Sequence, residues 1–106
     1  MNKRKIEAKT TSYREQLLKD LADPQEAKVY LMVALEEYET DADTDSFMLA
    51  LRNVAEAQGG IGTLAKKTEL NRPHLYKMLS SKGNPRLLTL ENILRALGFR
   101  LSIEIA

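Results

Sequence analysis

The sequence predicts a mainly all-α fold that is built around a helix-turn-helix and ends in one short β-strand. The first observation is segment 61–79, whose apolar residues have the spacing of two short helices joined by a tight turn. These apolar residues are Leu64, Ala65, Leu70, Leu75 and Met78. The small Ala65 is diagnostic, because it lets two steeply crossing helices approach closely. The other observations are helical spacing of apolar residues upstream and strict alternation of apolar and polar residues after Gly98.

The N-terminal part of the chain is expected to contain a tail and a helical extension. Residues 1–11 show no apolar periodicity and are rich in lysine and arginine, so we expect a disordered basic tail there. Residues 12–45 are expected to form the N-terminal helical extension. Its first helix is predicted over 12–21, where tyrosine and leucine side chains fall on one side.

A second helix is expected to begin at Asp23-Pro24, an N-cap followed by proline at the first helical position. Val29, Met32 and Val33 widen the apolar surface of this helix. A surface this wide suggests burial from more than one direction, and another chain is one candidate for the second side. Residues 39–45 are expected to form an acidic linker that ends in the N-cap of the next helix, at Asp45 or Ser46.

Residues 46–106 are expected to form the helix-turn-helix domain together with the C-terminal strand. Its first helix is expected to end near Gly59-Gly60, and its last to begin at Leu87 or Thr89 and end before Gly98. The predicted strand presents one apolar face, made of Phe99, Leu101, Ile103 and Ile105. No second strand is predicted, so we expect antiparallel pairing with the same strand of a second copy, giving a homodimer. The alternative is an extended tail packed on its own domain.

The net charge of +1 conceals a division along the chain. Residues 1–14 carry five basic side chains against one glutamate, residues 15–47 carry ten acidic side chains against two lysines, and residues 60–88 carry six basic side chains against one glutamate. Such segregation indicates two faces with two different partners. Mutual neutralisation within one fold, or a solvated surface, is the alternative.

Several function classes are disfavoured by composition. The chain has no cysteine, a single histidine and no phosphate-binding glycine loop or metal-ligand cluster, so we expect no catalytic residue, metal or cofactor, and no enzyme. No apolar run approaches the ~18 residues of a spanning helix, so no membrane partner is expected and a cytoplasmic location follows.

Several segments are typical of one known family. They are VALEE at 33–37, the Leu64-Ala65 pair, L-x-R-x-x-L-Y-K at 70–77, Leu79-Ser80, Gly83-Asn84-Pro85 and RALGFRLSI at 95–103. Over residues 13–105 the chain resembles the probable addiction-module antidote proteins, close to HigA-type antitoxins with an Xre-like helix-turn-helix. The resemblance implies a lambda-repressor-like fold and a bacterial or prophage repressor of its own operon. It also implies a RelE-like toxin, a small basic ribonuclease, as partner.

Two residues depart from the pattern of that family. Glu69 stands where glycine is frequent, and it must accept a left-handed or bridge conformation at some energetic cost. Pro73 falls in the first turn of the recognition helix, where proline is tolerated, but it replaces a side chain that would otherwise contact a base. Base readout is therefore expected to use fewer residues than usual.

The predicted DNA-binding residues lie on the exposed side of the second helix of the motif and around it. Arg72, Tyr76 and Lys77 are the candidates for base readout, because arginine bonds O6 and N7 of guanine and tyrosine packs on a thymine methyl. For Arg72 the alternatives are a phosphate contact or a surface salt bridge, and for Tyr76 they are a phosphate contact or partial burial. For Lys77 a phosphate contact is favoured over a base contact. Candidate phosphate contacts are Thr63, Lys66, Asn71, His74, Ser80, Lys82 and Arg86, with an N-cap role favoured for Asn71.

The combined hypothesis is a DNA-binding antitoxin that represses its own operon by binding double-stranded DNA at an inverted-repeat operator. The acidic N-terminal helices would repel DNA and are expected to bind the cationic toxin through Tyr30, Glu37, Tyr38 and Asp41. A purely structural role for these helices is the alternative. Two other functions remain open: a stand-alone phage-type repressor, and a protein-interaction module that uses the helix-turn-helix only as a scaffold.

Overall fold

The computed structural model describes the backbone of residues 3–80 and 84–106 and the side chains of residues 12–80 and 84–106. The helices of these ranges are α1 (Lys3–Leu21), α2 (Pro24–Asp41), α3 (Thr44–Ala57), α4 (Ile61–Thr68), α5 (Arg72–Met78) and α6 (Leu87–Ala96). The predicted mainly α-helical class is therefore confirmed. None of these helices is long and apolar enough to cross a bilayer, within the residues described.

The first two helices begin and end differently from the sequence-based expectation. Helix α1 begins at Lys3 rather than at residue 12, so it includes most of the segment expected to be a disordered tail. Helix α2 begins as expected, since the Asp23 carboxylate accepts a hydrogen bond from the amide of Gln25 and Pro24 occupies the first helical position. It continues into the expected acidic linker as far as Asp41, where the N–H of Ala42 bonds to the carbonyl of Tyr38.

The N-cap of α3 was assigned to the wrong residue. Asp43, rather than Asp45 or Ser46, caps this helix, and its carboxylate accepts a 2.9 Å hydrogen bond from the amide of Asp45. The early start has a local cause: Ala42 adopts the left-handed conformation with φ of 59°, which reverses the chain within two residues. The linker is therefore Ala42 and Asp43 alone.

Helix α3 is the element that joins the two ends of the molecule. It packs on α1 and α2 on one side and on α4 on the other, and α4 in turn packs on α5 and α6. The largest fully buried side chains come from both halves of the chain and belong to one core: Leu21, Leu51, Val54, Leu75, Leu79 and Ile93. Because this core is continuous, the N-terminal helices and α4–α6 support one another.

Helices α4 and α5 form the pair that the apolar spacing predicts. Leu64, Leu75 and Met78 are buried, and Ala65 and Leu70 are half-buried against the same core. The turn between the helices covers residues 69–71. It begins with Glu69 in the left-handed region, at φ of 62°, as its position predicts.

The C-terminal segment forms no strand in this single chain, so the pairing expected across a dimer stays a prediction. Residues 99–106 have no regular secondary structure, and no other part of the described chain pairs with them. Helix α6 ends at Ala96, before Gly98 as predicted, and the φ of 91° at Gly98 lets the amide of Phe99 bond back to the carbonyl of Leu94. A strand needs a neighbour for its backbone groups, and one chain supplies none. Phe99 packs on its own core, whereas Ile103 and Ile105 are fully exposed.

Candidate nucleic-acid interface

An open groove of about 1110 Å³ runs between α4, the start of α5 and the end of α3. Helix α4 lines it with Gly62, Ala65 and Lys66, which follow one another at helical spacing, and its C-cap Glu69 continues this lining. The start of α5 contributes Asn71, Arg72 and Tyr76, and the opposite wall includes Leu18 and Glu56. The missing side chain of Gly62 leaves room for the long side chain of Arg72.

The three side chains predicted to read bases are all exposed on α5. Arg72 and Tyr76 line the groove, while Lys77 lies exposed on the same helix, next to Tyr76. Leu75 and Met78 are buried on the opposite side and anchor the helix. Helix α5 therefore presents one polar and cationic surface.

Tyr76 is held by an ionic network that extends to α1. The guanidinium of Arg52 lies over the Tyr76 ring, 5.5 Å from its centroid, in a cation–π arrangement. Arg52 also pairs with Glu56 at 3.3 Å, and Glu56 forms an ion pair with Arg14. Sequence reasoning did not identify these three charged residues. The i,i+4 spacing of Arg52 and Glu56 was the one available signal.

A second polar link joins the N-terminal helices to α3. The buried Asn53 donates a 2.9 Å hydrogen bond to the hydroxyl of Tyr30 and accepts one of 3.4 Å from Arg14. Tyr30 is only partly exposed and packs on the core. Its hydroxyl therefore has a structural partner within the chain, which favours an internal role over the expected toxin contact.

The predicted phosphate contacts fall into three groups. Lys66, His74 and Arg86 are exposed. Asn71 is the N-cap of α5, since its side-chain oxygen accepts a 2.8 Å hydrogen bond from the amide of His74. Lys82 lies outside the described residues.

The hydroxyl groups of Thr63 and Ser80 form the third group. They donate to the carbonyls of Gly59 and Lys77, at 2.9 and 2.7 Å. A phosphate oxygen needs a donor, so these two side chains would have to give up an internal hydrogen bond to contact it.

The acidic surface predicted to bind a toxin lies away from this groove. Glu37, Tyr38 and Asp41 are exposed on α2, and Tyr38 also lines a small cleft of about 190 Å³ between α2, α3 and the start of α6. The ion pairs among the described side chains use Glu56 and Glu91, so the carboxylates of residues 36–45 are not neutralised by any of them. Val29, Met32 and Val33 are about half exposed on α2, so this chain alone does not provide the second burial expected for them.

Within the described part of the chain, no group of histidine and acidic side chains is placed to hold a metal ion.

A family model described as "Probable addiction module antidote protein" matches residues 9–105. The chain belongs to this family. As a family member it is an antidote of a toxin–antitoxin module, whose general partner is a toxin.

One relative of the antidote adds distant support. A protein of Haemophilus influenzae, described only as uncharacterized, is 27% identical over 84 residues, which cover 79% of this chain and 81% of the relative. No solved structure matches the chain significantly. The assignment to the family therefore rests on the family model.

Proposed function

We propose that this antidote binds double-stranded DNA, with α4 and α5 acting as a lambda-repressor-like helix-turn-helix and α5 as the recognition helix. The observation that carries the proposal is the division of α5 into two faces. Leu75 and Met78 fasten it to the core, while Arg72, Tyr76 and Lys77 are left exposed. The major groove is ~12 Å wide and admits a helix of this kind.

Within this proposal, Arg72 reads a guanine, because its forked guanidinium matches O6 and N7. Tyr76 contacts a thymine methyl or a phosphate from the position in which Arg52 holds it. Lys77 is assigned to a phosphate, with a base contact as the alternative. The remaining phosphate contacts are assigned to Lys66, His74, Arg86, Lys82 and the N-terminal turn of α5 at Asn71.

The proposed DNA-bound form is a homodimer. Residues 99–105 would become a strand by pairing with the same residues of a second copy, which would satisfy backbone groups left unpaired in one chain. The exposure of Leu101 (44%), Ile103 and Ile105 supports this, because these side chains have little cover in their own chain. Two recognition helices ~34 Å apart would then bind an inverted repeat, which we place in the antidote's own operon.

The toxin of the proposed pair is a RelE-like basic ribonuclease that binds the acidic surface of α2. Glu37, Tyr38 and Asp41 remain the assigned contacts, because they are exposed and no ion pair neutralises the two carboxylates. Replacing both acids with lysine (Glu37→Lys, Asp41→Lys) should abolish copurification with a toxin encoded beside the gene. The same charge change on α1 (Glu15→Lys, Asp20→Lys) is the matched control and should leave the complex intact. Equal loss in both variants would contradict the location of the contact.

Selection of duplexes from a random DNA pool, followed by a gel-shift titration at several salt concentrations, tests the DNA-binding proposal. We expect one enriched inverted repeat and an affinity that falls steeply with salt. The enrichment of no sequence would refute it. That outcome would favour an interaction module that keeps α4 and α5 only as a scaffold, a reading supported by the two carboxylates, Glu56 and Glu69, that line the groove. A stand-alone repressor would bind the repeat but have no toxin gene beside it.

A further inference from the structure

The side chain of Arg72 lies close against Gly62 of α4. A Cβ atom placed on Gly62 would lie 3.0 Å from Cζ and 3.1 Å from Nε of Arg72. Both distances are well below the ~3.5–4.0 Å of ordinary van der Waals contact. The guanidinium therefore rests directly on the bare backbone of α4, in space that any other residue would fill.

The glycine is not required by the backbone. Gly62 lies within helix α4, and among the glycines that the structure describes the positive φ values belong to Gly59, Gly60 and Gly98 instead. Gly62 is the second residue of α4, and alanine is more favourable than glycine in a helix, by up to about 1 kcal/mol in its interior. The missing side chain thus costs helix stability, and the nearest atoms that a Cβ would meet all belong to Arg72.

We propose that Gly62 is a positioning residue that holds Arg72 ready for base readout, an inference that rests on the proposed DNA-binding function. An arginine side chain on a surface loses much rotamer freedom when it is fixed by a partner. A guanidinium that already lies against α4 loses less of this freedom when DNA arrives, so more of its bonding with guanine appears as affinity for the preferred sequence. Gly62 itself contacts no base. It acts through Arg72.

The variant Gly62→Ala separates this role from a structural one. Its Cβ displaces only the far end of a flexible side chain, so the protein should fold, with a thermal midpoint equal to or above that of the wild type. Nuclear magnetic resonance of the Arg72 Nε–Hε group in the free protein should show an ordered group in the wild type and a mobile one in the variant. This readout does not depend on DNA.

The DNA arm of the experiment uses the duplex selected by the wild type and a scrambled duplex of the same length. Sequence preference is the dissociation constant for the scrambled duplex divided by that for the selected duplex. We expect Gly62→Ala to reduce this ratio about 3–10-fold, towards the value for Arg72→Ala. Affinity for the scrambled duplex should stay within about twofold. In the Arg72→Ala background, adding Gly62→Ala should change the ratio no further. This double variant is the matched control.

Four outcomes would overturn the inference. A lower thermal midpoint would show that the backbone needs the glycine, and unchanged dissociation constants on both duplexes would show that Arg72 needs no support. Equal losses on both duplexes would indicate that α4 itself approaches the phosphates at Gly62. A further fall of the ratio in the Arg72→Ala background would mean that Gly62 acts independently of Arg72. If the wild type selects no sequence at all, the proposed function fails first, and the resonance measurement still reports whether Gly62 orders Arg72.

Discussion

Glu69 offers the sharpest test of how the α4–α5 turn is built. It is the C-cap of α4 and adopts φ of 62°, in the left-handed region that favours glycine. For a residue with a Cβ this conformation costs roughly 1–2 kcal/mol. Glycine avoids that cost, but its greater conformational freedom in the unfolded chain lowers the free energy of unfolding by about 0.4–1 kcal/mol. The Glu69→Gly variant should therefore gain roughly 0.5–1 kcal/mol in the free energy of unfolding.

For a domain of this size, such a gain raises the thermal midpoint by roughly 2–8 °C. The assays are urea denaturation and a thermal melt. The variant Glu69→Gln is the first control, because it removes the charge and keeps the Cβ in the left-handed conformation, so its stability should stay close to that of the wild type. The variant Ala42→Gly is the second, because Ala42 has φ of 59° and lies outside the α4–α5 groove. It should be stabilised by a similar amount.

The same variants also test the electrostatics of the groove. Glu69 lines it, and a carboxylate there repels phosphates, so Glu69→Gly and Glu69→Gln should both bind DNA more tightly, whereas Ala42→Gly should not. A Glu69→Gly variant that is no more stable than Glu69→Gln would refute backbone strain at this position. Unchanged DNA affinity in both variants would refute repulsion between the carboxylate and the phosphates.

Two side chains of α5, its N-cap and the C-terminal segment each allow a further test. Arg72→Ala should cost ~1–3 kcal/mol on a selected site and relax the preference at one base pair, and equal losses on random DNA would remove its base-reading role. Lys77→Ala should weaken binding to all sequences alike and reduce the salt slope by about one phosphate, so a loss confined to one sequence would assign it to a base. Asn71→Ala should lower the free energy of unfolding by about 1 kcal/mol, because the amide of His74 loses its partner, and an unchanged urea midpoint would contradict this. A chain ending at Gly98 should sediment as a monomer where the full chain is a dimer; a dimer of the shortened chain would place the interface elsewhere.

Features that depend on residues close in sequence could be predicted from the chain itself. The start of α2 at Asp23-Pro24, the end of α6 before Gly98 and the left-handed Glu69 all arise within one helical turn. The buried positions of α4 and α5 follow from helical periodicity, and the exposed surface of α5 follows as its complement. The N-cap of α3 was missed because several acidic residues near it had equal capping ability, and only the conformation of Ala42 decided among them.

Only the tertiary structure decided which side chains meet across helices. Three contacts join residues on different helices. Arg52 stacks on Tyr76, Asn53 donates a hydrogen bond to Tyr30, and the side chain of Arg72 lies against Gly62. The distances between these residues depend on how helices α1–α5 pack together. Apolar spacing shows which face of a helix is buried, but it does not show which helix covers that face. The alternation after Gly98 has the same limit. It marks a side of the chain suited to burial, but hydrogen bonds to a second backbone must exist before that segment becomes a strand.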